Sequence, residues 1–343
     1  MIITRTPFRV SFLGGGTDLP VVYRQIGGAV LSTTIDKYMY VAVNRRFEET
    51  IRVAYTRTEI VKSPEELRHD IVREALRTVG IRKQIEVVTI ADVPAGTGLG
   101  SSSALTVGLL NALYAYLGIE ADPERLAKEA CELEIVQLGH RIGKQDQYAA
   151  AYGGLNFIQF LPDERVRVEP VRLAEDLREE FFARIRVFYT GRKRRAGDIL
   201  SEQNRTAAEK LPLYRTLKDL AYAGKEALQA GDLNRFGKLL HEGWEIKRSF
   251  SRRISNRLID ELYDLGRGEG ALGGKVLGAG GGGFILFFCK SPESAAALRH
   301  KFETLGIREL KIDYEPHGSA IIYASPTDSI GRSASVKKAS EGA

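Results

Sequence analysis

Pro94-Ala95-Gly96-Thr97-Gly98-Leu99-Gly100-Ser101-Ser102-Ser103-Ala104 is the stretch whose reading decides the fold. Three glycines alternate with other residues and run directly into three serines. Before it, Ile85, Val87, Val88 and Ile90 mark an apolar strand; after it, Ala104, Leu105, Val107, Leu109, Ala112 and Leu113 mark a helix. The order is strand, glycine-rich loop, helix N-terminus. Glycine adopts positive φ freely and lets a ligand approach the backbone. The free N–H groups of the first helical turn, aided by the helix dipole, then face an anion, and a nucleotide triphosphate suits that position. A flexible turn with a Ser-capped helix is the bland account of a Gly/Ser run. Three ordered glycines between a strand and a helix favour phosphate.

At 343 residues the chain is long enough for two domains or one large one. Its 43% hydrophobic content suits a globular protein, and no apolar run reaches membrane-span length. The start, MIITRTPFRV, lacks the apolar core of a secretory signal, so a cytoplasmic enzyme with no membrane partner is expected. Cys131 and Cys289 sit in apolar contexts without metal-ligand spacing and read as buried free thiols. The formal charge is +6, with both signs mixed along most of the chain. Two basic regions stand out: Arg192-Lys193-Arg194-Arg195, and Lys247, Arg248, Arg252 and Arg253. Nucleic-acid binding calls for stronger basicity or a recognisable module. A phosphorylated small molecule accounts for them better than nucleic acid does, the plain alternative being a solvated basic face.

Outward from the loop, residues 8–13, 30–35, 38–43 and 51–55 read as short strands. Residues 64–79 read as a helix with Ser63 as N-cap and Pro64 at its first position. Asp122-Pro123 opens a further helix running toward Leu138. Residues 155–160 and 166–172 alternate like a hairpin, 184–189 is a strand, and 198–265 is mostly helical by pattern. Phe284–Cys289 is a buried strand, Ser291 caps a helix over 292–305, and 320–323 is a last strand. Strands and helices do not strictly alternate, so the class is α+β. A domain boundary falls within 175–200, and the Ser-, Lys- and Gly-rich end from Ser325 contributes little to any core.

Three more constellations carry chemistry. Gly278-Ala279-Gly280-Gly281-Gly282-Gly283 precedes a hydrophobic strand; four consecutive glycines suggest close approach to a ligand or to another loop, or else a tight hairpin. In Pro7–Asp18, a strand carrying Arg9 runs into Gly14, Gly15, Gly16, Thr17 and Asp18, which makes Asp18 a plausible acceptor for a hydroxyl. Glu134 precedes Gly139, Gly143 and Gln145-Asp146-Gln147. Taken alone, Glu134 is a solvated helical residue and Asp146 a cap. If they face the phosphate loop, a hydroxyl and a carboxylate together would hold Mg²⁺, which wants oxygen ligands and substrate phosphates.

With these motifs in order, the chain closely resembles the GHMP kinases, the family of galactokinase, homoserine kinase, mevalonate kinase and phosphomevalonate kinase. The three matching stretches are Pro7–Asp18, Pro94–Ala104 and Lys275–Phe284. The resemblance implies an N-terminal domain like ribosomal protein S5 domain 2, over 1–180, and a ferredoxin-like C-terminal domain over 181–325; by composition, 326–343 reads as a flexible tail. It implies ATP in the cleft, its phosphates on Pro94, Gly96, Gly98, Leu99, Gly100, Ser101, Ser102 and Ser103. Ser102 and Glu134 fall where the family binds Mg²⁺. Asp146 matches the residue thought to act as base, and Arg9 the basic residue that pairs with it.

Galactokinases carry Glu-His where Gly15 and Gly16 stand, so side chains are missing from the sugar pocket here. The first motif most resembles the branch that phosphorylates the anomeric hydroxyl of D-glycero-D-manno-heptose 7-phosphate, on the route to GDP-activated heptose. Gly14 to Asp18, with Gly281 and Gly282, are then expected at the sugar. A sugar phosphate needs cationic partners; Arg192, Arg194, Arg195, Lys247 and Arg253 are the candidates. The alternatives are a fucokinase-like enzyme acting on an unphosphorylated sugar and a non-catalytic, sugar-responsive regulator. A homodimer is possible.

Overall fold

A computed structural model describes residues 1–191 and 196–325. The first half of the chain forms β1 (Ile2–Leu13), α1 (Pro20–Ile26), β2 (Gly28–Arg45), β3 (Ile51–Ala54), β4 (Thr58–Val61), α2 (Asp70–Thr78) and β5 (Ile85–Ala91). It continues through α3 (Ser101–Tyr116), α4 (Pro123–Cys131), α5 (Gln145–Tyr152), β6 (Leu155–Phe160) and β7 (Val166–Pro170). Then come α6 (Glu175–Ala183), β8 (Ile185–Tyr189), α7 (Ala196–Thr206), α8 (Leu211–Gln229), α9 (Leu233–Arg248) and α10 (Arg257–Gly268). The described chain closes with β9 (Ala271–Val276), β10 (Phe284–Cys289), α11 (Pro292–Thr304) and β11 (Ala320–Ala324).

The larger sheet runs β11-β1-β2-β5-β3-β4, with β6 also on β2 and β7 on β6. All its pairings are antiparallel except β3 with β5. The segments 30–35 and 38–43, expected as two strands, are one strand of 18 residues. They are joined across a bulge: Pro7 opposes Tyr38 while Phe8 opposes Ile35, leaving Asp36 and Lys37 as the extra residues. Pro7 has no N–H for the ladder, which suits a break in register.

α3 is buried nearly all round, and Gly108 brings it close to the sheet: a Cβ there would stand 2.5 Å from Thr6 Oγ1. The smaller sheet, β8-β10-β9, is antiparallel. Every residue of β10 is buried, which fits its unbroken apolar run. β11 returns from the end of this half to pair with β1. The architecture is α+β.

Two expected helices are different. Over 64–79, a single 3₁₀ turn at Pro64–Glu66 is followed by an extended Leu67, and the α-helix starts only at Asp70. Ser63 makes no capping bond to the backbone. The reason is tertiary: the Glu59 carboxylate on β4 accepts from the backbone N–H groups of Arg68 (2.7 Å) and His69 (3.2 Å), drawing them out of helical geometry. The helix opened by Asp122, which accepts from Arg125 N at 2.7 Å, ends as α at Cys131 and widens into a π-helical turn over Glu132–Gln137. The tail over 326–343 lies outside the described residues.

Candidate active site

The phosphate loop leaves β5 and enters α3 through three left-handed glycines: Gly96 (φ +78°), Gly98 (φ +92°) and Gly100 (φ +77°). Thr97 Oγ1 closes the turn by donating to Pro94 O at 2.8 Å. Leu99 is buried, and its carbonyl accepts from Arg9 N at 3.1 Å. Pro94 and Leu99 therefore hold the loop's shape, while Gly96, Gly98, Gly100 and Ser101 to Ser103 line a cavity of about 220 Å³. No side chain caps α3, so its first amides face that cavity with only the dipole behind them.

The second glycine cluster packs on this loop. A Cβ on Gly98 would meet Leu277 O at 2.4 Å, and one on Gly283 would meet Thr97 O at 2.4 Å. Gly281 N donates to Ile254 O at 2.7 Å. Of the two uses expected for these glycines, the structure shows close approach to other loops. Gly281 and Gly282, expected at the sugar, do not line the cavity; Gly278 and Ala279 do.

Arg9 and Asp146 meet as expected. Nε and Nη2 of Arg9 each donate to one carboxylate oxygen of Asp146 at 2.7 Å, and Nη1 donates to Gly98 O at 2.7 Å. One buried guanidinium thus ties the loop to the first turn of α5, in the forked geometry that suits arginine. Asp146 faces Arg9 rather than capping its helix.

Glu134 comes from the π-helical turn, a distortion often found at functional positions. It is fully buried, and accepts from Ser102 Oγ at 2.8 Å and Gln147 Nε2 at 2.7 Å. Burial pushes its carboxyl upward, against the hydrogen bonds of Ser102, Ser103 and Gln147 that favour the ionised form; the charge of Asp146 pushes it further up. A buried carboxylate served only by neutral donors fits a cation beside it, and its Ser102 partner adds a second hard oxygen. That small donor set suits Mg²⁺, which keeps waters and substrate phosphates as its other ligands. Among the described residues no cluster of three or more His, Cys, Asp or Glu forms an all-protein metal cage.

Asp18 is buried and accepts from Gly16 N (2.9 Å), Gln145 N (3.2 Å) and Gln145 Nε2 (2.9 Å). Desolvation raises its carboxyl above the usual range, and the nearby Asp146 charge adds to that. Gly143 is what admits it, since a Cβ there would stand 1.8 Å from Asp18 Oδ2. Gly15, Gly16 and Asp18 line the cavity. Gly14 and Thr17 build the turn beneath: Thr17 Oγ1 donates to Gly14 O at 2.8 Å and Ala29 O at 3.0 Å.

The basic candidates separate. Lys247 is buried on the cavity wall, and its Nζ donates to Gly278 O at 2.6 Å. Arg253 lies away from it, on a second, open cavity with Arg141, Arg205 and Arg252, its guanidinium 4.0 Å from Glu202. Arg192, Arg194 and Arg195 lie outside the described residues. Sequence reasoning assigned no role to Lys275, Ser11, Gln145 or Gln203, all on the cavity wall. Lys275 carried a signal, being a cation inside an otherwise apolar and glycine-rich strand. Its Nζ donates to Phe12 O at 2.8 Å; burial, then the charges of Lys247 and Arg9, hold its ammonium well below the usual lysine range.

Residues 67–154 match the GHMP kinases N terminal domain, and residues 225–308 match the GHMP kinases C terminal model. Over 304 residues the chain is 34% identical to D-glycero-alpha-D-manno-heptose 7-phosphate kinase of Campylobacter jejuni, covering 84% of this chain and 89% of that protein. The chain belongs to the GHMP kinases. It is 27% identical to a bifunctional fucokinase/GDP-fucose pyrophosphorylase of Arabidopsis thaliana over 89% of this chain and 31% of that protein. The crystal structure of a D-glycero-D-manno-heptose 1-phosphate kinase from Bacteroides thetaiotaomicron superposes with a TM-score of 0.79 at 27% identity, over 95% of this chain and 100% of that one. As a GHMP kinase, this protein is a phosphotransferase with a hydroxyl acceptor, and its family uses ATP as the phosphate donor. No helix among the described residues is long and apolar enough to cross a membrane.

Proposed function

We propose that this kinase transfers the γ-phosphoryl group of ATP to the anomeric hydroxyl of D-glycero-D-manno-heptose 7-phosphate, giving the 1,7-bisphosphate. The observation that carries the reading is the 34% identity across nearly the whole of the Campylobacter jejuni enzyme. The acceptor side of the cavity supports it: its floor is bare at Gly15 and Gly16, and its wall holds Lys247 and Lys275.

Phosphoryl transfer needs in-line positioning and charge neutralisation more than covalent help. Loop residues 96–100 and the amides of 101–103 cradle the phosphates. Ser102 and Glu134 hold Mg²⁺, which neutralises phosphate charge when bound. Asp146 accepts the proton of the attacking hydroxyl, and Arg9 fixes the carboxylate against the loop. Asp18 accepts a hydrogen bond from a second substrate hydroxyl. The distal phosphate finds a cation at Lys247 on the cavity wall, with Arg192, Arg194 and Arg195 as further candidates, whereas Arg253 faces the second cavity.

The test is ADP release with Mg-ATP against heptose 7-phosphate, mannose 6-phosphate, free fucose, free galactose and mevalonate. Turnover confined to the heptose phosphate is the expected result. The fucokinase relatives of Arabidopsis thaliana and Bacteroides fragilis, 27% and 28% identical, favour one competing reading, an unphosphorylated sugar as acceptor. Turnover with free fucose alone would establish that reading and dismiss ours.

A further inference from the structure

On the acceptor side, three side chains carry polar atoms whose hydrogen-bonding capacity the described residues do not use. Ser11 Oγ is buried and meets no partner among the described residues. Gln145 donates from Nε2 to Asp18, but its carbonyl Oε1 is buried without a donor. Lys275 is 6% exposed, and its three-donor ammonium has one hydrogen bond, to Phe12 O. Buried polar groups nearly always find partners, and leaving one empty costs about 1–3 kcal/mol. Three such groups in one wall of a cavity make a site for something polar.

Ser11 and Lys275 face one point over Gly15, beside the Gln145 amide whose Nε2 bonds Asp18. A Cβ on Gly15 would stand 3.3 Å from Ser11 Oγ, 3.8 Å from Gln145 Nε2 and 4.0 Å from Lys275 Nζ. Gly15 is not in the left-handed region, so its backbone does not demand glycine. What the position keeps is room beside Ser11 Oγ, since a Cβ 3.3 Å away would press on that hydroxyl.

The chemistry of the three selects the occupant. Gln145 Oε1 only accepts, Lys275 only donates while charged, and Ser11 does either. A hydroxyl answers all of these, since it donates and accepts at once. A fully ionised phosphate offers no proton to Oε1, and the Asp18 carboxylate, held by the same Gln145, repels it. We infer that Ser11, Gln145 and Lys275 form a hydroxyl-binding subsite over Gly15 that grips adjacent hydroxyls of the acceptor and discriminates against acceptors lacking them. The inference rests on the reading that the cavity phosphorylates a sugar, and it sends the acceptor's phosphate elsewhere. A site built to hydrogen-bond a hydroxyl rejects the analogue without it, because its own polar groups are then left unpaired.

The test uses the full chain, with Ser11→Ala, Gly15→Ala and Lys275→Met beside the wild type, and the acceptor beside its monodeoxy analogues. Ser11→Ala removes one partner; Gly15→Ala fills the subsite from a backbone that accepts alanine. Both should raise the acceptor KM about tenfold or more while leaving the ATP KM within about twofold. One monodeoxy analogue should be poor for the wild type yet cost Ser11→Ala little further, because both changes remove the same bond. A merely structural role would not produce that coupling. If the wild type uses the acceptor but Ser11→Ala and Gly15→Ala keep its KM, or if variant and deoxy penalties simply multiply for every analogue, the subsite is refuted while the sugar-kinase reading stands. A wild type that turns over no sugar overturns that reading, and the subsite with it.

Discussion

Lys275 shows how a single residue can be both a cost to the fold and a means of function. Its side chain joins the smaller sheet to β1 through Phe12 O, yet it sits near Lys247 and Arg9. Burial and those charges depress its folded pKa below the ordinary 10.5, so the unfolded chain binds the proton more readily. Stability from this group is therefore present at high pH and lost as pH falls through the folded value. The ligand-free wild type should gain thermal stability relative to Lys275→Met as pH rises from about 7 toward about 10. Melting both proteins across that range checks it, and parallel curves would contradict the assignment. The sequence marked Lys275 only as a cation in an apolar, glycine-rich strand and hid what it touches. The lysine lies within a quoted motif, but its neighbours Phe12 and Gly15 are more than 250 residues away in the chain.

At the scale of elements, the phosphate loop was the most legible feature, because its requirements are local. Positive φ at Gly96, Gly98 and Gly100, a strand before and a helix after are all written in consecutive residues. The interrupted helix at 64–79 was not legible, since Glu59 competes for its first amides from another strand. The π-helical turn carrying Glu134 was likewise hidden, for its sequence reads as ordinary helix. The two glycine loops form one unit, and that gives a prediction. Gly98→Ala places a side chain at φ +92° and 2.4 Å from Leu277 O. It should cost about 1–3 kcal/mol of stability and weaken ATP binding, because the loop must shift to relieve the contact. Chemical denaturation and nucleotide titration of the variant measure both; an unchanged ATP affinity would show that the packing of the two loops does not shape the phosphate site.

Across the whole molecule, the first and last described strands lie side by side. β11 pairs with β1, Ser325 N donates to Met1 O at 2.9 Å, and Asn111 on α3 donates to Ser319 O at 3.2 Å. β11 and the residues flanking it thus brace β1, which carries Arg9 and Ser11 and leads into the turn to Asp18. Truncation after Gly318 should lower Tm, because it removes β11 and its ladder to β1. Calorimetry on the truncated chain measures this, and an unchanged Tm would mean that β11 adds nothing to the sheet. The α+β class and the order of the three motifs were visible in advance. The return of the last strand to the first sheet was not, because a short apolar segment does not announce its pairing partner.

The most direct test of the central claim is the steady-state rate of Asp146→Asn with heptose 7-phosphate and Mg-ATP, measured by ADP release. Asparagine keeps the shape and can still hydrogen-bond Arg9, but it cannot take the hydroxyl proton. The account predicts that kcat falls about 10²- to 10⁴-fold, with the KM for ATP nearly unchanged. An Asp146→Asn enzyme that turns over at the wild-type rate would contradict it.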